Sequence, residues 1–245
     1  MSERLDVALA RAGLARSRSH AADLVRRGRV EVDGRVAARP SQRVAPETRI
    51  EVETERWVGR GALKLAGALD DLAEEAGARV SGARVLDAGA STGGFTQVCL
   101  ERGAAVVYAV DVGHGQLDPR IAHDPRVRVR EGLNLRDLTL ADLDGEPVDL
   151  VVGDVSFISL TLLLAPFTAV SSPDTTLVLL VKPQFEVGRA GLPGHGVVTA
   201  AGDRRRAVDL VVARAAELGW RLHAEAPCRL PGQDGNLEHF VVLGH

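Results

Sequence analysis

Short apolar runs recur along residues 84–243, and stretches with helical spacing separate most of them. Apolar runs bounded by polar or glycine-rich segments are typical of buried strands. The helical candidates lie at 95–102, 158–170 and 203–218. This alternation predicts an α/β fold with a mostly parallel sheet and helices on both faces. The expected strands are Arg84–Asp87, Val106–Asp111, Val127–Arg130, Val148–Asp154, Thr176–Lys182, Arg221–Ala226 and His239–Leu243.

The last two expected strands lack a helix between them, which predicts a terminal hairpin. Upstream of the sheet, apolar residues at helical spacing predict a helix from Arg60 through Glu75. Lys64 lies outside the apolar stripe of this helix. We therefore expect a single larger domain over residues 60–245.

The first fifty residues show a different pattern. A short helix is expected over Ser2–Ala12, and Ser17 has the character of an N-cap for a second helix through Arg27. Val30–Val32 and Arg35–Val36 then flank an Asp-Gly pair, which is a hairpin signal, and Ile50–Val52 predicts a last strand. The pattern predicts a small α+β domain over residues 1–54 and a linker over residues 55–59.

The composition is that of an ordinary globular protein, because 45% of the 245 residues are hydrophobic and 26% are charged. No apolar run approaches the ~20 residues that span a bilayer, and the N-terminus lacks the apolar core of a signal peptide. Cys99 and Cys228 lie far apart, and the seven histidines form no ligand cluster. We expect a cytoplasmic monomer with free thiols that uses no metal and contacts no membrane.

Charge is distributed unevenly along the chain. Residues 1–43 hold ten arginines and five acidic residues, a net charge of +5. The whole chain carries −3, so the remainder carries −8. A basic head on an acidic body indicates a nucleic-acid contact confined to one end. A coding bias that favours arginine is the alternative explanation.

The most informative segment is 85–96, where an apolar strand ends at Asp87, a loop of small residues follows and a helix begins. The loop lacks the lysine of a phosphate-binding P-loop and the glycine spacing of a dinucleotide site. An acid at the strand end suits a ligand with an amino group, which favours S-adenosylmethionine; close helix–strand packing alone is the alternative. The expected cofactor-binding residues at strand ends are Asp87, Gly89, Ala90, Ser91, Gly93, Gly94, Asp111, Val112, Asn134 and Asp154.

Lys182 ends a buried apolar strand, where an ammonium is costly without a partner. Asp154, at the end of the neighbouring strand, is the natural partner. The pair is either a structural ion pair or a base whose pKa is lowered by burial and by a second cation. Lys64 could be that cation, and Glu238 could orient both lysines.

These motifs resemble two known families. Residues 14–34 resemble the S-four-type RNA-binding module, whose members contact mainly phosphates and the shape of folded RNA. Trp57–Leu65, Leu86–Phe95, Asp154–Leu160, Lys182–Gly188 and Gly235–Glu238 together resemble the TlyA family. That family joins such a module to a Rossmann-like, seven-stranded FtsJ-type methyltransferase domain.

The resemblance implies 2′-O-methylation of cytidine in ribosomal RNA or ribosomal subunits with S-adenosylmethionine. It also implies that Lys64, Asp154, Lys182 and Glu238 form the family's catalytic tetrad. The residues expected to contact RNA phosphates are Arg16, Arg18, Arg60, Arg136 and Arg189.

Two features depart from the family pattern. Gly59 stands where the family usually has serine, which predicts a weaker helix cap and a looser linker. The chain ends soon after its last strand, as in shorter members, which favours large-subunit rRNA as the substrate. The rivals are a small-molecule O-methyltransferase, which leaves the basic head unexplained, and a non-enzymatic RNA-binding or assembly factor. Nothing in the sequence supports the membrane activity implied by the haemolysin label of some relatives.

Overall fold

The computed structural model describes residues 2–15, 17–53, 56–188 and 196–245. Packing of the backbone divides the chain into two compact units, residues 1–56 and residues 57–245. Unit 1 and unit 2 are described separately below. Among the described residues, no helix has both the length and the apolar character needed to cross a membrane.

In its described residues, unit 1 combines two short helices with five short strands. Its elements are β1 (Glu3–Arg4), α1 (Leu5–Arg11), α2 (Arg18–Arg26), β2 (Val30–Val32), β3 (Arg35–Val36), β4 (Arg43–Val44) and β5 (Ile50–Val52). The strands form a sheet of order β3-β2-β5 and a separate β1-β4 pair. Ser17 caps α2 as expected, because its side chain accepts a hydrogen bond from the backbone N–H of His20. Leu5, Leu9 and Leu24 anchor the small core.

The start of the chain differs from the predicted helix over Ser2–Ala12. Glu3 and Arg4 form a strand against β4, and the helix begins only at Leu5. The backbone N–H of Leu5 donates to the carbonyl of Gln42, about forty residues away. Pairing with residues far along the chain therefore determines the conformation of Glu3 and Arg4, and the local spacing of apolar residues cannot predict it.

Unit 2 contains one seven-stranded sheet of order β11-β12-β10-β9-β6-β7-β8. Its strands are β6 (Arg84–Ala88), β7 (Val106–Asp111), β8 (Val127–Glu131), β9 (Val148–Gly153), β10 (Ser171–Val181), β11 (Arg221–Pro227) and β12 (His239–Gly244). Its helices are α3 (Arg60–Asp71), α4 (Gly94–Glu101), α5 (Pro119–Ala122), α6 (Leu164–Ala169), α7 (Pro183–Glu186) and α8 (Ala201–Glu217). Within the described residues, single 3₁₀ turns lie at Gly77–Arg79, Leu135–Asp137, Leu140–Leu143 and Leu160–Leu162.

The predicted α/β fold is confirmed. β8, β7, β6, β9 and β10 are parallel, and β12 lies antiparallel between β10 and β11, so the expected terminal hairpin forms the end of the sheet. Buried apolar residues fill both faces of the sheet, which gives the three layers typical of this architecture. The helix expected at 158–170 is instead a 3₁₀ turn followed by the short α6, and α3 ends at Asp71 rather than Glu75.

Strand order brings several loops to one edge of the sheet. β6, β7, β9 and β10 run parallel, so the loops after residues 88, 111, 153 and 181 leave at the same edge. β12 is antiparallel and therefore starts at that edge, with Val181 paired to His239. Ligands of open α/β sheets bind at the carboxyl ends of the strands, so this edge is the expected binding site.

Candidate active site

The backbone of the loop after β6 lies close to the backbone at the ends of the neighbouring strands β7 and β9. Gly89 has φ +85°, in the left-handed region, and its N–H donates to the carbonyl of Val110. A Cβ at Gly89 would lie 3.1 Å from the carbonyl oxygen of Asp154, so a side chain here would crowd the neighbouring strand end. The small residues therefore let two loops meet at the sheet edge.

Asp111 organises the first of two cavities at this edge. Its Oδ2 accepts a hydrogen bond of 2.8 Å from the N–H of Ser91, and its Oδ1 accepts one of 2.7 Å from the N–H of Gly113. The surrounding cavity, called here the Asp111 cavity, has a volume of about 580 Å³. Gly89, Ser91, Val112, Asn134 and Asp154 contribute to its lining.

The second cavity, called here the Lys182 cavity, has a volume of about 540 Å³ and contains both lysines. Lys182 Nζ lies 2.7 Å from Asp154 Oδ1 and donates a 2.7 Å hydrogen bond to Ser156 Oγ. Lys64 Nζ donates a 2.6 Å hydrogen bond to Glu238 Oε2. Lys64, Lys182 and Glu238 are buried, so these charges interact in a medium less polarisable than water.

Sheet topology explains why these four residues meet. Asp154 follows β9 and Lys182 follows β10, which are parallel neighbours, so both leave the sheet at the same edge. Glu238 precedes β12, whose pairing with β10 sets it beside Lys182 in register. Lys64 reaches the cavity from α3, which packs against α4. The structure thus brings together all four residues of the predicted tetrad.

The two cavities adjoin one another. Gly89, Ser91, Asp154, Ser156 and Phe157 line both of them. A ligand in the Asp111 cavity would therefore lie next to the ion pairs of the Lys182 cavity. This arrangement suits the transfer of a group from one bound molecule to another.

Eight of the ten predicted cofactor residues line one of the cavities. Asp87 and Gly93 do not. Asp87 is fully buried beneath the loop, where its Oδ2 accepts a 2.6 Å hydrogen bond from Thr96 Oγ1, and burial raises the pKa of its carboxyl to about 7. A Cβ at Gly93 would lie 2.8 Å from Leu117 Cδ1, so packing accounts for this glycine. In the described structure, both residues support the loop from behind.

Gly59 is the N-cap of α3 and provides no side-chain hydrogen bond there, in agreement with the expectation of a weaker cap. A Cβ at this position would lie 2.5 Å from Thr92 Oγ1. The hydroxyl of Thr92 occupies the space that a serine side chain would enter. The glycine therefore allows α3 to approach the loop after β6.

Sequence reasoning missed two residues of the site. Ser156 accepts a hydrogen bond from Lys182, and Phe157 lines both cavities while its side chain lies 92% exposed. Phe157 also has φ +66°, which is strained for a residue with a bulky side chain, and its ring lies 5.4 Å from that of Phe185. A large aromatic held open to solvent indicates a surface for a ligand.

The predicted RNA-contacting arginines fall into two groups. Arg18, Arg60 and Arg136 are exposed, and Arg60 also lines the Lys182 cavity, where its Nη2 donates to the carbonyl of Pro231. Arg16 and Arg189 lie outside the described residues. The sequence also predicts a glycine-rich loop near the active mouth over residues 188–198, and residues 189–195 of it lie outside the described residues. Within the described ranges, no group of three or more acidic, histidine or cysteine side chains could hold a metal ion.

Comparison with known proteins gives a consistent result. The FtsJ-like methyltransferase family model matches residues 57–245, and the S4 domain model matches residues 3–50. The chain is 49% identical to the 16S/23S rRNA (cytidine-2′-O)-methyltransferase TlyA of Mycobacterium tuberculosis, over 98% of this chain and 89% of the relative. It is 33% identical to the 23S rRNA (cytidine-2′-O)-methyltransferase TlyA of Campylobacter jejuni, over 78% and 72% of the two chains.

A solved structure described as a hemolysin from Streptococcus thermophilus matches with a TM-score of 0.75 and 35% identity, over 99% of this chain and 88% of that chain. The likeness therefore spans both units and includes the edge of the sheet that carries the two cavities.

Proposed function

Because the chain belongs to the TlyA family of FtsJ-like methyltransferases, we propose that it methylates the 2′-hydroxyl of a cytidine in ribosomal RNA. The observation that carries this proposal is the pair of buried lysine–carboxylate contacts beside a second cavity at the same sheet edge. A small-molecule methyltransferase would need no S4 domain, and a binding factor would need no buried amine at a cavity.

The Asp111 cavity fits S-adenosylmethionine. Asp111 supplies a carboxylate that can accept hydrogen bonds from ribose hydroxyls, and Val112 supplies an exposed apolar surface for a purine ring. Gly89 supplies the space that a side chain would otherwise fill. When bound, S-adenosylmethionine supplies the methyl group.

The Lys182 cavity holds the groups that act on the acceptor. We assign Lys182 to the 2′-hydroxyl, where it removes the proton or stabilises the oxyanion, with Asp154 and Ser156 holding its amine in place. Lys64 and Glu238 set the local field and hold the ribose. Burial of these groups excludes water, and positioning contributes much of the remaining rate.

The RNA itself is too large for the cavity, so other surfaces must hold it. Arg18 in unit 1 and Arg60 and Arg136 in unit 2 are exposed and can contact phosphates. The target nucleotide has to turn out of its helix for its 2′-hydroxyl to reach Lys182. Arg16 and Arg189 remain proposed phosphate contacts on sequence grounds.

The test is a map of ribose methylation on both ribosomal RNAs from cells with and without this protein. We expect at least one cytidine to lose its 2′-O-methyl group without the protein and to regain it on return of the wild type. Both subunits are mapped, because the two relatives above differ in the rRNAs that their names give.

Lys182→Ala should not restore the methyl group, whereas Arg205→Ala should, since Arg205 is an exposed residue of α8 paired with Glu225. A map unchanged at every cytidine would exclude the proposed function. Full restoration by Lys182→Ala would exclude only the role given to Lys182.

A further inference from the structure

One carboxylate at the Lys182 cavity, that of Asp234, has no partner in the part of the chain that the structure describes. Six charged side chains line the cavity, and Lys64–Glu238 and Lys182–Asp154 form ion pairs, while Arg60 donates to a backbone carbonyl. Asp234 makes no ion pair or hydrogen bond among the described residues. Because Asp234 is exposed, its carboxylate is hydrated and open to a ligand that donates hydrogen bonds.

The turn that carries Asp234 is well defined. The N–H of Gly232 donates to the carbonyl of Asn236 and the N–H of Gly235 donates to that of Gly232, which closes the turn over Asp234. Asn236 is buried and fixes the turn from below, because its Oδ1 accepts from the N–H of Val198 and its Nδ2 donates to the carbonyl of Gly196.

The same turn is attached to the lysine centre. A Cβ at Gly232 would lie 2.7 Å from Glu238 Oε1, so the backbone of the turn packs directly on the carboxylate that holds Lys64. Asp234 therefore has a fixed relation to the residues that would bind the ribose.

A nucleotide whose 2′-oxygen lies at Lys182 places its base in or at the mouth of the same cavity. Cytosine presents an exocyclic amine there, which donates hydrogen bonds, whereas uracil presents a carbonyl oxygen. An ionised carboxylate only accepts hydrogen bonds, so it pairs with the amine of cytosine and repels the oxygen of uracil. Gln184 lines the same cavity, and its buried Oε1 has no hydrogen-bond partner among the described residues, which gives the base edge a second polar group.

We propose that Asp234 is a specificity-determining residue that selects cytidine over uridine by accepting a hydrogen bond from the N4 amine of the base. This inference rests on the proposed function.

The experiment uses the full chain, ribosomal subunits that carry the mapped cytidine, and matched subunits with uridine at that position. We expect the ratio of kcat/KM for cytidine over uridine to fall about tenfold or more in Asp234→Asn, because an amide can also donate to the uracil oxygen. Asp234→Glu keeps an acceptor and should retain part of the selectivity.

Asp174→Asn is the matched control, because Asp174 is exposed and lines neither cavity. It removes one negative charge and should leave the ratio unchanged. An unchanged ratio in Asp234→Asn, with both rates raised equally, would reduce Asp234 to general repulsion and overturn the inference. A folded variant inactive on both substrates would overturn it as well. If the wild type methylates neither RNA, the proposed function fails instead.

Discussion

At the scale of single residues, the choice of basic side chain is informative. The chain has 30 lysines and arginines, of which only Lys64 and Lys182 are lysines. Both lie in the Lys182 cavity. Arginine is planar and does not lose its proton in proteins, whereas lysine is a compact amine that can. The composition therefore indicates that these two positions need an amine, a signal available from the sequence alone.

Lys182→Arg tests what the amine does. The substitution keeps a positive charge beside Asp154 but supplies a group that cannot accept the hydroxyl proton. If Lys182 removes that proton, methyl transfer should fall roughly 100-fold or more. Single-turnover methylation with saturating donor measures the step, and calorimetry checks that donor binding persists.

Arg205→Lys is the control, because it makes the reverse exchange in an exposed ion pair of α8. Retention of near wild-type turnover in Lys182→Arg would exclude proton removal by Lys182 and leave oxyanion stabilisation as its role.

Asp87 makes a pH-dependent contribution to stability. Burial raises the pKa of its carboxyl to about 7, above the value of 3.8 that an unfolded chain has. The folded protein therefore binds the proton more tightly, and stability from this group is lost as the pH rises from about 4 to about 7. Asp87→Asn removes the ionisation. The free energy of unfolding of this variant, relative to that of the wild type, should therefore increase by about 2 kcal/mol from pH 5 to pH 8.

Urea unfolding followed by tryptophan fluorescence measures this difference, because Trp57 and Trp220 both belong to unit 2. Asp174→Asn changes an exposed position, so the free energy of unfolding of this variant should depend on pH in the same way as that of the wild type. A difference between Asp87→Asn and wild type that stays constant with pH would contradict the assigned burial effect.

At the scale of elements, the sequence predicts well wherever local pattern determines structure. Five strands of unit 2, which are β6, β7, β9, β10 and β12, are mostly buried and appear as apolar runs. β8 and β11 lie at the two ends of the sheet and are only partly buried, with Ala226 as the one buried residue of β11. β1 and β4 have two residues each, too few to show alternation, and they exist through their pairing with one another. The Lys182–Asp154 contact was predictable from neighbouring strand ends, whereas the strained Phe157 depends on how its loop closes.

The contact between α3 and α4 gives a prediction of this kind. A Cβ at Gly94 would lie 2.7 Å from the backbone nitrogen of Ala62, which cannot move aside without shifting α3. Gly94→Ala should therefore destabilise unit 2 by about 1–3 kcal/mol, although alanine is normally the better helix former. The free energy of unfolding in urea measures the effect.

Gly202→Ala is the matched control, since Gly202 lies in the first turn of α8 and a Cβ there meets nothing within 4 Å. It should stabilise unit 2 by up to about 1 kcal/mol. Stabilisation by both substitutions would show that α3 and α4 do not pack as closely as described.

At the scale of the whole molecule, charge separates the two units. Unit 1 has twelve arginines and nine acidic residues, a net charge of +3, so unit 2 carries −6. Several of the acidic side chains in unit 1 are already paired with arginines, as Glu51 is with Arg49. The S4 domain match agrees with this excess, because a net positive charge attracts the phosphates of RNA.

Arg18 is the exposed arginine of unit 1 for which the argument is most specific. Asp6, its nearest acid at 3.6 Å, is already held by Arg4 through two hydrogen bonds, so the charge of Arg18 remains available for a phosphate. Arg18→Ala should weaken rRNA binding and lower the slope of log affinity against log salt by roughly 0.7–0.9, the contribution of one phosphate contact. Filter binding across a series of salt concentrations measures both quantities.

Arg49→Ala removes the same charge from an arginine paired with Glu51, and it should leave the slope unchanged. Equal slopes for wild type and Arg18→Ala would place the RNA on a different surface of unit 1 or on unit 2 alone, because an arginine in contact with a phosphate cannot be removed without releasing fewer counterions on binding.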